Sequence, residues 1–266
     1  MATTSDGRSV KALQAAAKEG DTDALFNLGR AYLDGDGVSK NEKKGFKHFL
    51  KAAKKGHMHS QCSAAYCYEK GVGVEADQKQ GFKWYLTAAS QGDALAQWYV
   101  GGCYKEGTYV QQDYRQAVQW YQRAADQNNA KAQNDLGYMY RYGLGVAHSD
   151  TEAVRLYSLA AAQGEMLAQF NLGVTYKLGH GVAKDLSLAK HFFGLAAAQG
   201  HQKASAHLSQ LLEDDLAEHE RERNPVTTHD IDVDRSHLNA EADAALREIR
   251  GMTLAQEEEA SPKREQ

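Results

Sequence analysis

The chain has 266 residues, 42% of them apolar and 25% charged, with a formal net charge of −4. No stretch approaches the ~18 consecutive apolar residues of a membrane-spanning helix, and MATTSDGRSV has no basic start followed by an apolar run. Cys62, Cys67 and Cys103 are too few for a disulfide framework. These features suit a cytoplasmic chain in a reducing compartment. The other reading is a secreted effector without an N-terminal signal peptide.

With two prolines, Pro225 and Pro262, and abundant Ala, Gln, Lys and Glu, the composition predicts a helical protein. Five stretches recur at a spacing of 36 residues: LDGDGVSKN at 33–41, EKGVGVEAD at 69–77, KEGTYVQQD at 105–113, RYGLGVAHS at 141–149 and KLGHGVAKD at 177–185. One of them, Gly71-x-Gly73-x-x-Ala76, matches a permissive dinucleotide-binding pattern. No strand is predicted before any copy, and Ala76 does not recur, so the glycines are read as turning the chain.

Before each loop, the Ala24-Leu28-Tyr32 spacing marks one face of a helix. It returns at Ala96-Val100-Tyr104, Ala132-Leu136-Tyr140 and Ala168-Leu172-Tyr176. The first loop glycines (35, 71, 107, 143, 179) sit where a helix ends in a left-handed residue. Asn41, Asp77, Asp113, Ser149 and Asp185 are N-caps of a second helix, and Ser149 with Glu152 spells a capping box. That second helix carries paired alanines, from Ala52-Ala53 to Ala196-Ala197, which let helix backbones approach closely.

Laid out in columns, the pattern Ala-x-x-x-Leu-Gly-x-x-Tyr, Gly-x-Gly-Val, an N-cap and a closing aromatic-x-x-x-Ala-Ala-x-x-Gly resembles the Sel-one-like repeat (SLR) family, relatives of tetratricopeptide solenoids. The resemblance implies an all-α fold, a right-handed α/α superhelical solenoid of antiparallel helix pairs with a C-terminal extension. Residues 1–23 hold an N-terminal capping helix, since Ala16, Ala17 and Gly20 lie one period before Ala52, Ala53 and Gly56. Residues 24–203 hold five repeats, 204–224 a C-terminal capping helix, and 225–266 an acidic linker, a short amphipathic helix and a tail. Tyr109 departs from the pattern in place of the second loop Gly, and Ala65 in place of the Gly found at 29, 101, 137 and 173.

The family consists largely of adaptors in signalling, protein quality control and bacterial contact with host cells. The resemblance therefore implies a non-enzymatic scaffold holding a protein or peptide on its concave face, without cofactor or metal. Lining that wall would be the first helix of each unit, at columns 27, 30 and 34: Asn27, Arg30, Asp34; Ser63, Tyr66, Lys70; Tyr99, Gly102, Glu106; Asp135, Tyr138, Tyr142; Asn171, Val174, Leu178. Amides bond an extended backbone and aromatics supply rigid contact area. The plain alternative is a varied, solvated surface.

Two clusters bear on other chemistry. His57, His59 and Cys62 form a conceivable metal triad, but both His are expected in an inter-unit turn with Cys62 starting the next helix. Lys40, Lys43, Lys44, Lys47, Lys51, Lys54 and Lys55 crowd one helix. They are read as a solvated outer face, or as a dock for an acidic partner or the chain's own tail. Residues 1–212 carry 24 basic to 19 acidic side chains and residues 213–266 carry 7 to 16. In the tail, SHLNAEADAALREIRG predicts a helix with Leu238, Ala242, Ala245 and Ile249 on one side, packing on the solenoid or on a partner. An intracellular regulator with such a docking tail, or a bacterial host-interacting effector, is the alternative function. Neither nucleic acid nor membrane is expected as a partner.

Overall fold

The structure, a computed structural model, describes residues 3–4 and 9–223. These form twelve α-helices and one isolated antiparallel bridge, Thr3–Ser9. The expected linker, amphipathic helix and tail, and the docking of that helix, lie outside the described residues. The helices are α1 (Val10–Glu19), α2 (Thr22–Asp34), α3 (Glu42–Lys54), α4 (Met58–Lys70), α5 (Gln78–Ser90), α6 (Ala94–Glu106), α7 (Tyr114–Asp126), α8 (Ala130–Tyr142), α9 (Asp150–Ala162), α10 (Met166–Leu178), α11 (Leu186–Ala198) and α12 (Gln202–Arg223). Two compact units are present: one ends at Glu213, and the described part of the other is the remainder of α12.

Within the first unit, α2, α4, α6, α8 and α10 (the A helices) each pack on the following B helix, and each B helix packs on the next A helix. The result is an all-α solenoid whose apolar core is a chain of small clusters. One joins Phe46 and Phe49 of α3 to Ala64 and Cys67 of α4, and another joins Tyr121 and Ala124 of α7 to Leu136 and Met139 of α8. Each helix pair leaves an apolar stripe that only its neighbour can cover.

Local chemistry sets the helix ends. Asn41, Asp77, Asp113, Ser149 and Asp185 all cap B helices through side-chain oxygens, with N···O distances of 2.9–3.2 Å. The Ser149 capping box is only half made. Glu152 N–H donates to Ser149 Oγ, but the Glu152 carboxylate turns to Arg155. Its expected donor is already satisfied, because Ser149 N–H reaches Tyr140 O at 3.0 Å, a bond that Asn41, Asp77, Asp113 and Asp185 repeat to Tyr32, Tyr68, Tyr104 and Tyr176.

Gly101 shows why the A helix carries a glycine in mid-course: a Cβ there would stand 2.7 Å from the Tyr121 ring of its own B helix. In the second unit Ala65 fills this position, and the opposing Tyr85 ring lies against Tyr99, centroids 4.1 Å apart. The other departure, Tyr109, holds the left-handed backbone (φ 67°) that glycine supplies in the other loops, with its hydroxyl donating to Gln78 Oε1 at 3.0 Å.

A recurring element absent from the sequence reading joins the units. Gln61, Gln97, Gln133 and Gln169 are buried on successive A helices. Each donates Nε2 to an alanine carbonyl near the end of the preceding B helix: Ala53, Ala89, Ala125 and Ala161, at 3.1–3.5 Å. Each accepts at Oε1 from the glutamine that follows the next B helix, Gln91, Gln127, Gln163 and Gln199, at 2.7–2.9 Å. Both ends of every buried carboxamide are thereby engaged. Leu25 holds this position in the first unit and exposed Ser205 holds it on α12, so the ladder has defined ends.

Candidate functional site: the A-helix face

Residues at columns 27, 30 and 34 are half-buried or exposed on the A helices. Among the described residues, grooves lie there between neighbouring A helices. The first, of about 480 Å³ between α2 and α4, has Arg30, Asp34 and Tyr66 around Phe26, Leu33 and Leu95, with Phe49 and Tyr85 as its floor. A second, of about 320 Å³ between α6 and α8, gathers Trp98, Tyr99, Glu106 and Asp135. The third, of about 760 Å³, runs across α6, α8 and α10 to the start of α12 and takes in Glu106, Asn134, Asp135, Tyr138, Phe170 and Asn171.

The structure thus brings Arg30, Asp34, Tyr66, Tyr99, Glu106, Asp135, Tyr138 and Asn171 into grooves. Asn27, Lys70 and Tyr142 lie outside these three. Lys70 is paired with Glu69 at 2.7 Å, and Tyr142 packs against Tyr138 with centroids 4.5 Å apart and the rings tilted by 48°. Sequence reasoning passed over column 26, where Phe26, Trp98, Asn134 and Phe170 form the inner part of the grooves. Its signal was available as an aromatic or amide side chain at this column in four of the five units. It was hidden because the column, Phe26, Cys62, Trp98, Asn134 and Phe170, repeats no one residue type.

Trp98 is the centre of the electrostatics. Its indole Nε1–H donates to Asp135 Oδ2 at 2.7 Å, one unit onward, while Lys131 Nζ lies 4.9 Å from the ring centroid. Burial holds the Asp135 carboxyl above the ordinary carboxylate range, against the Trp98 bond, the charge of Lys105 and the bond from Asn134, all of which favour the anion. Asn171 Nδ2 donates to Asn134 Oδ1 at 2.8 Å, linking α10 to α8 along the groove floor. The face therefore offers rings, amides and one desolvated acid side by side.

Other candidates resolve differently. His57 is the N-cap of α4: its Nδ1 accepts from Ser60 N–H at 3.2 Å and its Nε2 stands 3.0 Å from Asp23 Oδ1. The helix consequently starts at Met58, so His59 lies in its first turn and Cys62 in its second, not in a turn and at a helix start as the sequence suggested. No group of three metal-ligating side chains occurs among the described residues. Burial pushes the Cys67 and Cys103 thiols up to about 11 and Cys62 higher still, and all three are unpaired. These thiols are poor nucleophiles at neutral pH.

Within the lysine-rich helix α3, Lys55 Nζ caps the end of α1 at Gly20 O, 2.8 Å away, and Lys51 Nζ approaches Ala17 O at 3.4 Å. Lys44 sits 5.4 Å from the centre of the Tyr32 ring, whereas Lys43, Lys47 and Lys54 are exposed.

Helix pairs stacked one on the next define an α-solenoid. The Sel1 repeat family model matches residues 22–57, 59–93, 94–129, 130–165 and 167–201, and the chain belongs to that family. Among solved structures it is similar to c5321, a protective antigen of uropathogenic Escherichia coli with an SLR fold, at 36% identity and a TM-score of 0.71. That match covers 77% of this chain and 44% of the other, so the chain spans less than half of the E. coli protein. It is also similar to a Sel1 repeat protein from Oxalobacter formigenes, at 30% identity over 75% of this chain and 86% of that one, TM-score 0.68. Comparison with curated proteins gave no match. Sel1 repeat proteins generally mediate protein–protein interactions. No helix among the described residues is long and apolar enough to cross a membrane.

Proposed function

We propose that this chain is a non-enzymatic adaptor that holds a protein or peptide partner along its A-helix face, the concave wall expected from the family. One observation carries the reading. Six large apolar side chains stand exposed on the A helices, Tyr66, Leu95, Tyr138, Tyr142, Leu167 and Leu178, beside grooves whose polar groups include the Asn134 and Asn171 amides. Exposed rings and leucines around satisfied amides suit a partner that buries apolar side chains and hydrogen-bonds through its backbone. The three unpaired cysteines support placing the adaptor in a reducing compartment, the cytoplasm.

Affinity capture with the full chain, followed by the Tyr66→Ala, Tyr138→Ala and Leu167→Ala variants, tests the proposal. Each variant is expected to weaken the captured partner's affinity by about tenfold or more, as truncation of a central interface anchor does. A partner held with unchanged affinity by the triple variant overturns the reading.

A further inference from the structure

The helical phase aligns the lysines of three B-type helices into one surface. Lys11 of α1, Lys47 of α3 and Lys83 of α5 occupy the same column, 36 residues apart, and all are exposed. Lys43 with Lys79, and Lys18 with Lys54, repeat the arrangement on either side of it. Positions 43, 47 and 54 lie on one stripe of their helix. Few acids share these helices: α5 has none, α1 has only Glu19 as its last residue, and Glu42 of α3 is 3.3 Å from Lys40. Lys51 of α3 and Lys55 just after it reach Ala17 O and Gly20 O at the end of α1, at 3.4 and 2.8 Å, so successive B-type helices run within side-chain reach of one another, and with a Debye length of about 8 Å at physiological salt their neighbouring lysines share one field. Inside it, burial and then the charges of Lys51, Lys47 and Lys44 hold His48 below its ordinary pKa.

The composition of the surface selects its partner. None of the exposed large apolar side chains of the described residues lies on α1, α3 or α5, so the surface has nothing to insert into a lipid layer. Its cations are lysines with no exposed aromatic ring between them, whereas nucleic-acid surfaces rely on arginine forks and stacking platforms. A row of compact ammonium groups matches carboxylates presented one by one on a polypeptide.

We infer that the solvent face of α1, α3 and α5 is a second docking surface, separate from the A-helix grooves, for an acidic segment of a partner protein. The chain then grips a partner at two places, with its acidic stretch on the lysine face. Because long-range charge acts first, this surface sets the speed and orientation of encounter.

The test uses the full-length chain and a fluorescein-labelled glutamate 20-mer, read by fluorescence anisotropy at two salt concentrations. Binding is expected to weaken steeply with salt. Lys47→Glu and Lys83→Glu should each weaken it several-fold and together by more than about tenfold. Lys184→Glu, the same charge change on an exposed loop side chain, should leave it within about twofold. Tyr138→Ala, in the groove, should not alter it, which keeps this surface distinguishable from the other. Equal binding by the Lys47/Lys83 double variant overturns the inference. So does tighter binding of a 20-base-pair DNA or of phosphatidylserine vesicles than of the glutamate peptide.

Discussion

Gln127 donates its carboxamide N–H to Gln97 Oε1 across 2.8 Å, joining the end of one B helix to an A helix 30 residues earlier. Gln97 is buried, and its own Nε2 is spent on Ala89 O at 3.1 Å. The pair clips the interface between α5, α6 and α7, and three further copies do the same elsewhere.

Removing the exposed and the buried partner should therefore differ. Gln127→Ala loses the bond to Gln97 and an exposed one to Arg123 O, but Gln97 keeps the Ala89 contact, so a cost of about 1 kcal/mol is expected. Gln97→Leu removes two bonds inside the interface, although Ala89 O keeps Gly92 N–H at 3.0 Å and Gln127 Nε2 keeps Arg123 O at 3.4 Å, and should cost about 2 kcal/mol. Urea unfolding followed by circular dichroism distinguishes the two, and equal midpoints would show the ladder to be decorative.

Gly101→Ala places a methyl 2.7 Å from the Tyr121 ring and should destabilise by about 1–3 kcal/mol. Ala65→Gly, at the same column, removes a methyl for which Tyr85 has already made room and should cost about 1 kcal/mol through helix propensity. Thermal melts of both variants check the contrast. A harmless Gly101→Ala would mean that the ring yields without loss.

The helices, their caps and the two irregular units were legible because each depends on residues near in sequence: an N-cap reaches three residues, a C-cap glycine needs only its own backbone. Column 30 shows Tyr66 and Tyr138 conspicuously beside Arg30, Gly102 and Val174, and both rings are exposed. Gln97 and its equivalents were not, because a glutamine inside a helix is ordinary until its partner from the next unit is known. Nor was the use of His57 as a cap. A His-x-His spacing suggests metal chemistry, whereas Ser60 and Asp23 decide it, and Asp23 lies a full unit away.

Asp135→Asn should stabilise the protein at pH 7. The folded state raises the Asp135 pKa, chiefly by burial, so the folded chain binds the proton more readily and stability falls as pH rises from about 4 through the folded value. The amide keeps an acceptor for Trp98 and gives up only the longer bond from Asn134 at 3.3 Å, without a buried charge. Its advantage should shrink below pH 4. An advantage that grows on acidification would contradict the assignment.

His48 works with the opposite sign. Burial, with three lysines, lowers its folded pKa, so the unfolded chain takes up the proton first. The associated stability is complete above the unfolded value near 6.5 and is lost as pH falls through that value toward the folded one. His48→Gln should flatten the stability profile between pH 7 and pH 5, measured as urea midpoints. A profile as steep as that of the parent would assign the acid response to other groups.

On α12 the positions that in the preceding unit are buried Gln169 and Gly173 are instead Ser205 and Ser209, both exposed. The first unit packs its B helix with Leu25 in place of the glutamine and the second with Ala65 in place of the glycine, but α12 lacks both features at once and so gives the array a molecular full stop. Duplication of an internal 36-residue block would lengthen the protein in register, whereas appending one after the terminator would yield a pair that fails to dock. Repeat number can thus drift in evolution by internal gene duplication while the ends stay fixed.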